Sequence, residues 1–318
     1  MPTKHVGKLR KDGCGVNVRN LIVLAFVGLI AQLVDGALGM AYGVTSTTLL
    51  LTAGIAPAAA SASVHLSEVG TTFVSGISHW RFGNVNWRTV RWMAIPGGIG
   101  AFLGAVVLSS ISAEAAKPFI AVFLFGLGVY ILIRFTSNKI GGPVVNRTIS
   151  GKFLAPLGLG AGFLDAAGGG GWGPISTPTL LSSGRMEPRK VVGTVDTSEF
   201  LVALCASVGF LISLSFVEIP LGVTVALLIG GVFAAPVAAW LVKRLRARVL
   251  GTAVAGVILI TNARTFLNSF GIDGGTLTSA YVLIIVVWLV ALFFAISAAR
   301  RERTTGSVGE TAAGEAAA

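Results

Sequence analysis

The stretch that most limits what this chain can fold into runs from Leu157 to Leu181, LGLGAGFLDAAGGGGWGPISTPTLL. It is apolar at both ends and broken in the middle by Asp165, the glycines Gly168–Gly171, Trp172, Gly173 and Pro174. In a helix interior each glycine costs about 1 kcal/mol and a proline about 3, so no continuous helix passes through. A carboxylate beside broken backbone in an apolar stretch of this length marks two half-helices meeting at an intramembrane binding site. An earlier stretch, Gly28–Gly54, has the same character in weaker form.

Composition sets the solvent. Of 318 residues, 54% are hydrophobic and 12% charged, against roughly 25% charged in a soluble domain. The chain therefore reads as a polytopic membrane protein whose first partner is the lipid bilayer. Its net charge of +11 sits in short Lys/Arg tracts between apolar runs, as the positive-inside rule describes, and not in a nucleic-acid-binding face. Cys14 and Cys205 lie far apart in unlike surroundings, so neither a disulfide framework nor a metal cluster follows, and no cofactor is called for.

Spanning about 30 Å takes about 20 helical residues. Residues 1–20 are polar and basic, and the apolar run Leu21–Val34 after them ends on Asp35 without a small-residue cleavage site. It reads as a retained membrane segment and not a cleaved signal peptide. Most later runs (Ala56–Ile77, Val90–Ile111, Pro118–Phe135, Val191–Phe216, Ile219–Val242, Val249–Phe266, Leu277–Ala299) are of spanning length. The four runs flanking the two glycine breaks are shorter and pair into two interrupted units. The expected organisation is a basic segment 1–20, a membrane repeat 21–135, a cytoplasmic linker 136–152, a second repeat 153–268, a final span 269–299 and a disordered tail 300–318.

The two breaks belong to an internal repeat. At an offset of 130, Gly28, Ala31, Asp35, Ala37, Gly39, Gly43, Ser46, Thr47, Leu50, Leu51 and Gly54 meet identical residues in the second half. After a one-residue slip, Ser67-Glu68 falls on Ser198-Glu199 and His65 on Asp196. Matched loops carry opposite charge balance. Arg81, Arg88 and Arg91 stand against Glu218 alone, and the near-neutral Ser109–Lys117 loop stands against Lys243, Arg244, Arg246 and Arg248. Inverted repeats show such a reversal. The expected fold is all-α: two inverted repeats, each a glycine-broken re-entrant or discontinuous unit plus three spanning helices, and one additional C-terminal span. This scheme puts the C-terminus in the cytoplasm and the basic N-terminal segment outside, against the same charge rule.

The residues Gly158-Leu-Gly-Ala-Gly-Phe-Leu-Asp-Ala-Ala-Gly-Gly-Gly-Gly171, their weaker copy at Gly28–Gly43 and the Gly193-Thr194 and Thr197-Ser198 stretch resemble the sulfite exporter TauE/SafE family of the toluenesulfonate uptake permease group. The resemblance covers about residues 20–300. It implies a multi-pass carrier in the inner cell membrane for sulfite, sulfonates or related small anions. The chain departs from the pattern at Gly39-Met40-Ala41-Tyr42-Gly43, which replaces the first glycine run. It also carries more intramembrane carboxylates than many members.

The chemistry available at such breaks is specific. Half-helix N-termini offer unpaired N–H groups and partial positive charge, and glycine admits an anion close to the backbone. Gly39, Gly43, Gly168, Gly169, Gly170 and Gly171, with the hydroxyls of Ser46, Thr47, Ser176 and Thr177, form the candidate oxyanion site. Trp172 among the glycines and Arg264 within an apolar run are further candidates to line it. Asp35 and Asp165 either cap the half-helix after each break or touch substrate or ion. A charge at bilayer depth costs several kcal/mol, which makes Glu68, Glu199, His65 and Asp196 candidates for proton coupling. His65 precedes Glu68 by three residues and shares its helical face. Small residues are also common at membrane helix contacts, and Gly100-xxx-Gly104 reads as packing.

No HExxH or GxSxG motif is present, so an enzyme is not expected. The reading is a proton-driven carrier of a small oxyanion. A cation carrier, for which buried carboxylates suit a hard ion, and a passive channel stand as alternatives, and homo-oligomerisation is left open.

Overall fold

The computed structural model describes residues 18–136, 147–214, 218–241, 247–268, 271–272 and 274–315. Among them every regular element is a helix: α1 Val18–Leu38, α2 Tyr42–Thr52, α3 Pro57–Arg81, α4 Trp87–Ser110, α5 Ala113–Thr136, α6 Gly151–Gly168, α7 Trp172–Ser182, α8 Pro188–Ser213, α9 Leu221–Leu241, α10 Ala247–Asn268 and α11 Gly274–Glu315. Both glycine-rich stretches break where the sequence predicts, between α1 and α2 and between α6 and α7. Three long helices follow each break.

Among the described residues, six helical segments are long and apolar enough to cross a membrane: Leu21–Leu38, Trp87–Ser110, Ala113–Thr136, Pro188–Ser213, Leu221–Leu241 and Gly274–Ala298. Three expectations need correction. The run before the first break is not short, because helix continues through Gln32 and Asp35 and α1 reaches 21 residues, about 31 Å. The 136–152 linker is helix at Thr136 and again from Gly151, while 137–146 lie outside the described residues. Residues 300–315 are helical and not disordered. Their Ala, Glu and Arg are good helix formers, and extending a formed helix needs no new nucleus.

The packing is reciprocal between the halves. Helix α1 lies on α9 as α6 lies on α4; α3 lies on α9 as α8 lies on α4; α3 packs on α8 and α5 on α10; α11 lies outside, against α10 and α5. Glycine explains how close these contacts are. A Cβ on Gly28 would sit 2.4 Å from the Leu227 carbonyl oxygen, and one on Gly158 2.4 Å from that of Met93. On Gly100 and Gly104 it would meet the α6 carbonyls of Leu159 and Phe163 at 2.1 and 2.3 Å. Small residues here let backbones touch in the absence of a strong hydrophobic drive between helices in lipid.

The first break carries a strained residue. Ala41, ahead of α2, has φ 116° and ψ −15°, and it is the non-glycine residue with positive φ among those described. Such backbone costs about 1–3 kcal/mol. Ala41→Gly is therefore expected to raise the thermal unfolding midpoint in detergent, by about 1 kcal/mol after the entropic cost of glycine. A lowered midpoint would show that the strain is not there.

Candidate functional site

The two breaks cross each other at the centre of the molecule. A Cβ on Gly43 would lie 3.0 Å from Gly170 Cα, and one on Gly173 2.6 Å from Met40 Cα. Gly39, with φ 66°, faces Thr177, whose hydroxyl donates to the Gly39 carbonyl at 2.6 Å. Gly169, with φ 73°, faces Thr47 in the mirrored contact. The crossing therefore contains Gly39, Gly43, Gly169, Gly170, Thr47 and Thr177 from the expected set. Gly168 and Gly171 turn instead toward the Phe123 ring of α5.

Asp35 and Asp165 are caps. The N–H groups of Gly171 and Trp172 donate to Asp165 Oδ1 at 2.6 and 2.9 Å, holding the start of α7. Asp35 Oδ1 accepts one longer bond, 3.4 Å, from the Tyr42 N–H at the start of α2. Each carboxylate thus closes the gap in its own broken helix and compensates N–H groups that a helix start leaves unpaired.

Their remaining oxygens reach across to the opposite half. His65 Nε2 of α3 lies 3.1 Å from Asp165 Oδ2 and 4.0 Å from Glu68 Oε2. Asp35 gathers with Asp196 and Glu199 of α8. Each triad takes the capping Asp of one half and the i, i+3 pair of the other, and the slipped alignment maps one onto the other with His65 standing where Asp196 stands. All six side chains are at least 95% buried. Neighbouring bonds lock the frame. Ser61 donates to the Ala166 carbonyl at 2.9 Å, His65 Nδ1 to the Ser61 carbonyl at 2.8 Å, and Ser75 to Asp196 Oδ2.

Several buried polar atoms find no hydrogen-bond partner among the described residues. They include both carboxylate oxygens of Glu68, Asp35 Oδ2, Asp196 Oδ1 and the hydroxyls of Ser46, Thr47 and Ser176, together with the Gln32 amide, Asn84 Oδ1 and the Ser207 hydroxyl. Buried polar groups are normally paired, and of these orphans Thr47 and Glu68 lie at the crossing itself, against Gly169 and Gly43. Glu68 borders the crossing directly, since a Cβ on Gly43 would lie 3.1 Å from its Oε1.

One expected residue sits elsewhere, and another lies outside the described side chains. Trp172 is fully buried with its ring against Gly97 of α4 and its indole N–H on the Val195 carbonyl at 3.0 Å, so it packs the crossing from outside. The Arg264 side chain lies outside the described residues; its backbone belongs to α10. Arg134 of α5 donates to the Ser182 hydroxyl of α7 at 2.6 Å. His79 is the residue that sequence reasoning missed. Its Nε2 lies 3.4 Å from Asp196 Oδ2 and 3.1 Å from the Gly36 carbonyl oxygen. The signal was available: His79 follows His65 by close to four helical turns, on the same face of α3. A groove of about 420 Å³ bounded by Phe73, Trp80, Trp87 and Phe200 opens on the outer apolar face of α3, α4 and α8 and not at the crossing.

The family model described as sulfite exporter TauE/SafE matches residues 24–265. The probable membrane transporter protein YtnM of Bacillus subtilis is 51% identical over 283 residues, covering 88% of this chain and 94% of that protein. The sulfite exporter TauE/SafE family protein 1 of Arabidopsis thaliana is 24% identical over 153 residues, 48% of this chain and 34% of that protein. A probable membrane transporter protein of Haemophilus influenzae is 26% identical over 164 residues, 50% of this chain and 62% of its own length. No solved structure matches.

Proposed function

The chain belongs to the sulfite exporter TauE/SafE family of membrane transporters, and from that premise we propose that it carries a small oxyanion, sulfite or a sulfonate, across the inner cell membrane, driven by protons. The observation that supports this most is the crossing of the two breaks. Asp35 and Asp165 take the first N–H groups of α2 and α7, and the donors left over are the buried orphan hydroxyls of Ser46 and Thr47 in α2 and of Ser176 in α7. An oxyanion is recognised by such groups. The close fit of Gly43 on Gly170 corresponds to the closed state of the cycle. Substrate enters when the halves part on one side, and the reversed loop charges support an inverted arrangement in which the other side is its mirror.

The coupling proton belongs to the first triad. Glu68 borders the crossing, has no hydrogen-bond partner among the described residues and stands 4.0 Å from His65. A proton on Glu68 lets an anion approach Gly43; its loss repels the anion and returns the carrier. The test is uptake of labelled sulfite into proteoliposomes with and without an imposed pH gradient. Wild type is expected to show saturable uptake that rises with the gradient, and Glu68→Gln uptake at least tenfold lower and indifferent to it. Folded wild-type protein that moves neither sulfite nor a short sulfonate would overturn the anion reading. Unsaturable flux would identify a channel.

A further inference from the structure

The two triads occupy equivalent places but are not equivalent in charge. In the first, His65 supplies a ring nitrogen at 3.1 Å to Asp165, whose other oxygen takes two N–H bonds. In the second, the position of His65 is filled by Asp196, giving Asp35, Asp196 and Glu199, three carboxylates with nothing cationic between them. The groups that face them from the packed helices are Tyr42 N–H, at 3.4 Å from Asp35, the Ser75 hydroxyl on Asp196, His79 of α3 and Glu68. His79 Nε2 stands nearer the Gly36 carbonyl than Asp196, and its Nδ1 faces Asn84 Nδ2 at 3.3 Å. Asp35 Oδ2 and Asp196 Oδ1, at 1% and 0% exposure, find no N–H or hydroxyl donor among the described residues, and the two carboxyl groups lie within reach of each other.

We propose that Asp35, Asp196 and Glu199 bind one hard metal cation of sodium or calcium size, in the place that His65 fills in the other half. One oxygen from each residue lies within 4.8 Å of the others. Three oxygens within that range share a point no more than about 2.8 Å from each, and a small inward shift of the side chains brings them to the roughly 2.3–2.6 Å at which such a cation holds oxygen. The all-oxygen donor set suits a hard ion and not a soft one. Uncompensated carboxylates at this depth are costly, and a bound cation supplies the compensation that the neighbouring N–H and hydroxyl groups provide only in part. Because Asp35 also caps α2, the ion ties the first break to α8. The proposal goes beyond the anion reading and does not depend on which anion is carried.

The test is direct binding to purified full-length protein in detergent, with labelled sodium or labelled calcium at constant ionic strength made up with choline, and thermal midpoints alongside. Wild type is expected to bind one ion per chain, saturably, with a raised midpoint. Asp196→His, which gives the second triad the composition of the first, is expected to weaken binding at least tenfold, and Glu114→Gln, at an exposed carboxylate in the first turn of α5, to leave it within twofold. Should Asp196→His fail to fold, Glu199→Gln carries the same expectation. Absence of saturable binding of either ion to wild type overturns the proposal, as does unchanged binding in folded Asp196→His. Neither result depends on sulfite uptake, so the two readings fail separately.

Discussion

Gly170→Ala is expected to abolish transport and to lower stability by about 2–5 kcal/mol. The backbone at Gly170 has φ 141°, a conformation that side-chain-bearing residues hold only at a cost of about 1–3 kcal/mol. The new Cβ would also lie 2.3 Å from Val44 N and 2.6 Å from Gly43 C. Both neighbours are backbone, so no side chain can rotate out of the way, and overpacking of this kind adds about 1–3 kcal/mol. The start of α2 must withdraw, which opens the crossing and removes Gly43 from its place beside Glu68. The contrast is Gly160→Ala on α6, where a Cβ meets nothing within 4 Å. There the better helix former is expected to stabilise by up to about 1 kcal/mol. Thermal unfolding in detergent and sulfite uptake in proteoliposomes read both variants. A Gly170→Ala protein with wild-type midpoint and uptake would show that the breaks do not touch as described.

Asp165→Ala is expected to be the most damaging single carboxylate substitution. It removes the acceptor of two N–H bonds at the start of α7, worth about 0.5–2 kcal/mol as a cap. It also strips His65 of its partner, and breaking one side of a buried pair costs about 3–5 kcal/mol. Asp165→Asn separates the terms: its amide oxygen still accepts from the helix start, while the charge opposite His65 is gone. The expected order of thermal midpoints is wild type, then Asn, then Ala, with transport lost in both variants. The equivalent Asp35→Asn, compared in choline without sodium or calcium, should cost less, because Asp35 accepts a single N–H at 3.4 Å and faces carboxylates, whose repulsion the change relieves. Equal losses at Asp35 and Asp165 would contradict the difference drawn between the two triads.

Several features of this site were legible before any coordinates. Gly168–Gly171 and Pro174 forbid a continuous helix wherever they occur, so the second break was certain from local backbone chemistry. The first was less plain, since Met40, Ala41 and Tyr42 replace glycines, and the structure accommodates the substitution by straining Ala41. Capping was one of the two readings open for Asp35 and Asp165, and it was legible because it is set within six or seven residues of chain. Trp172 was misleading. Its neighbours in sequence are the glycines of the crossing, but its ring points away from them into the α4–α8 seam against Gly97.

What the sequence determined by itself is what acts over one or two helical turns, or is forced by the bilayer. It set the positions of the breaks, the long apolar helices between them, the capping carboxylates and the i, i+3 pairing of His65 with Glu68. The repeat added that Asp35 corresponds to Asp165 and Glu68 to Glu199. Correspondence is not contact, however, and partners were decided only by tertiary structure. Each capping Asp meets the i, i+3 pair of the opposite half, His65 with Asp165 and Asp196 with Asp35, because α3 and α8 pack on each other and carry their polar faces across the centre. His79 joined Asp196 for the same reason. The docking of helices about a hundred residues apart in sequence depends on where backbones can approach, and in this protein that is decided by the glycine seams of α1 on α9 and of α4 on α6.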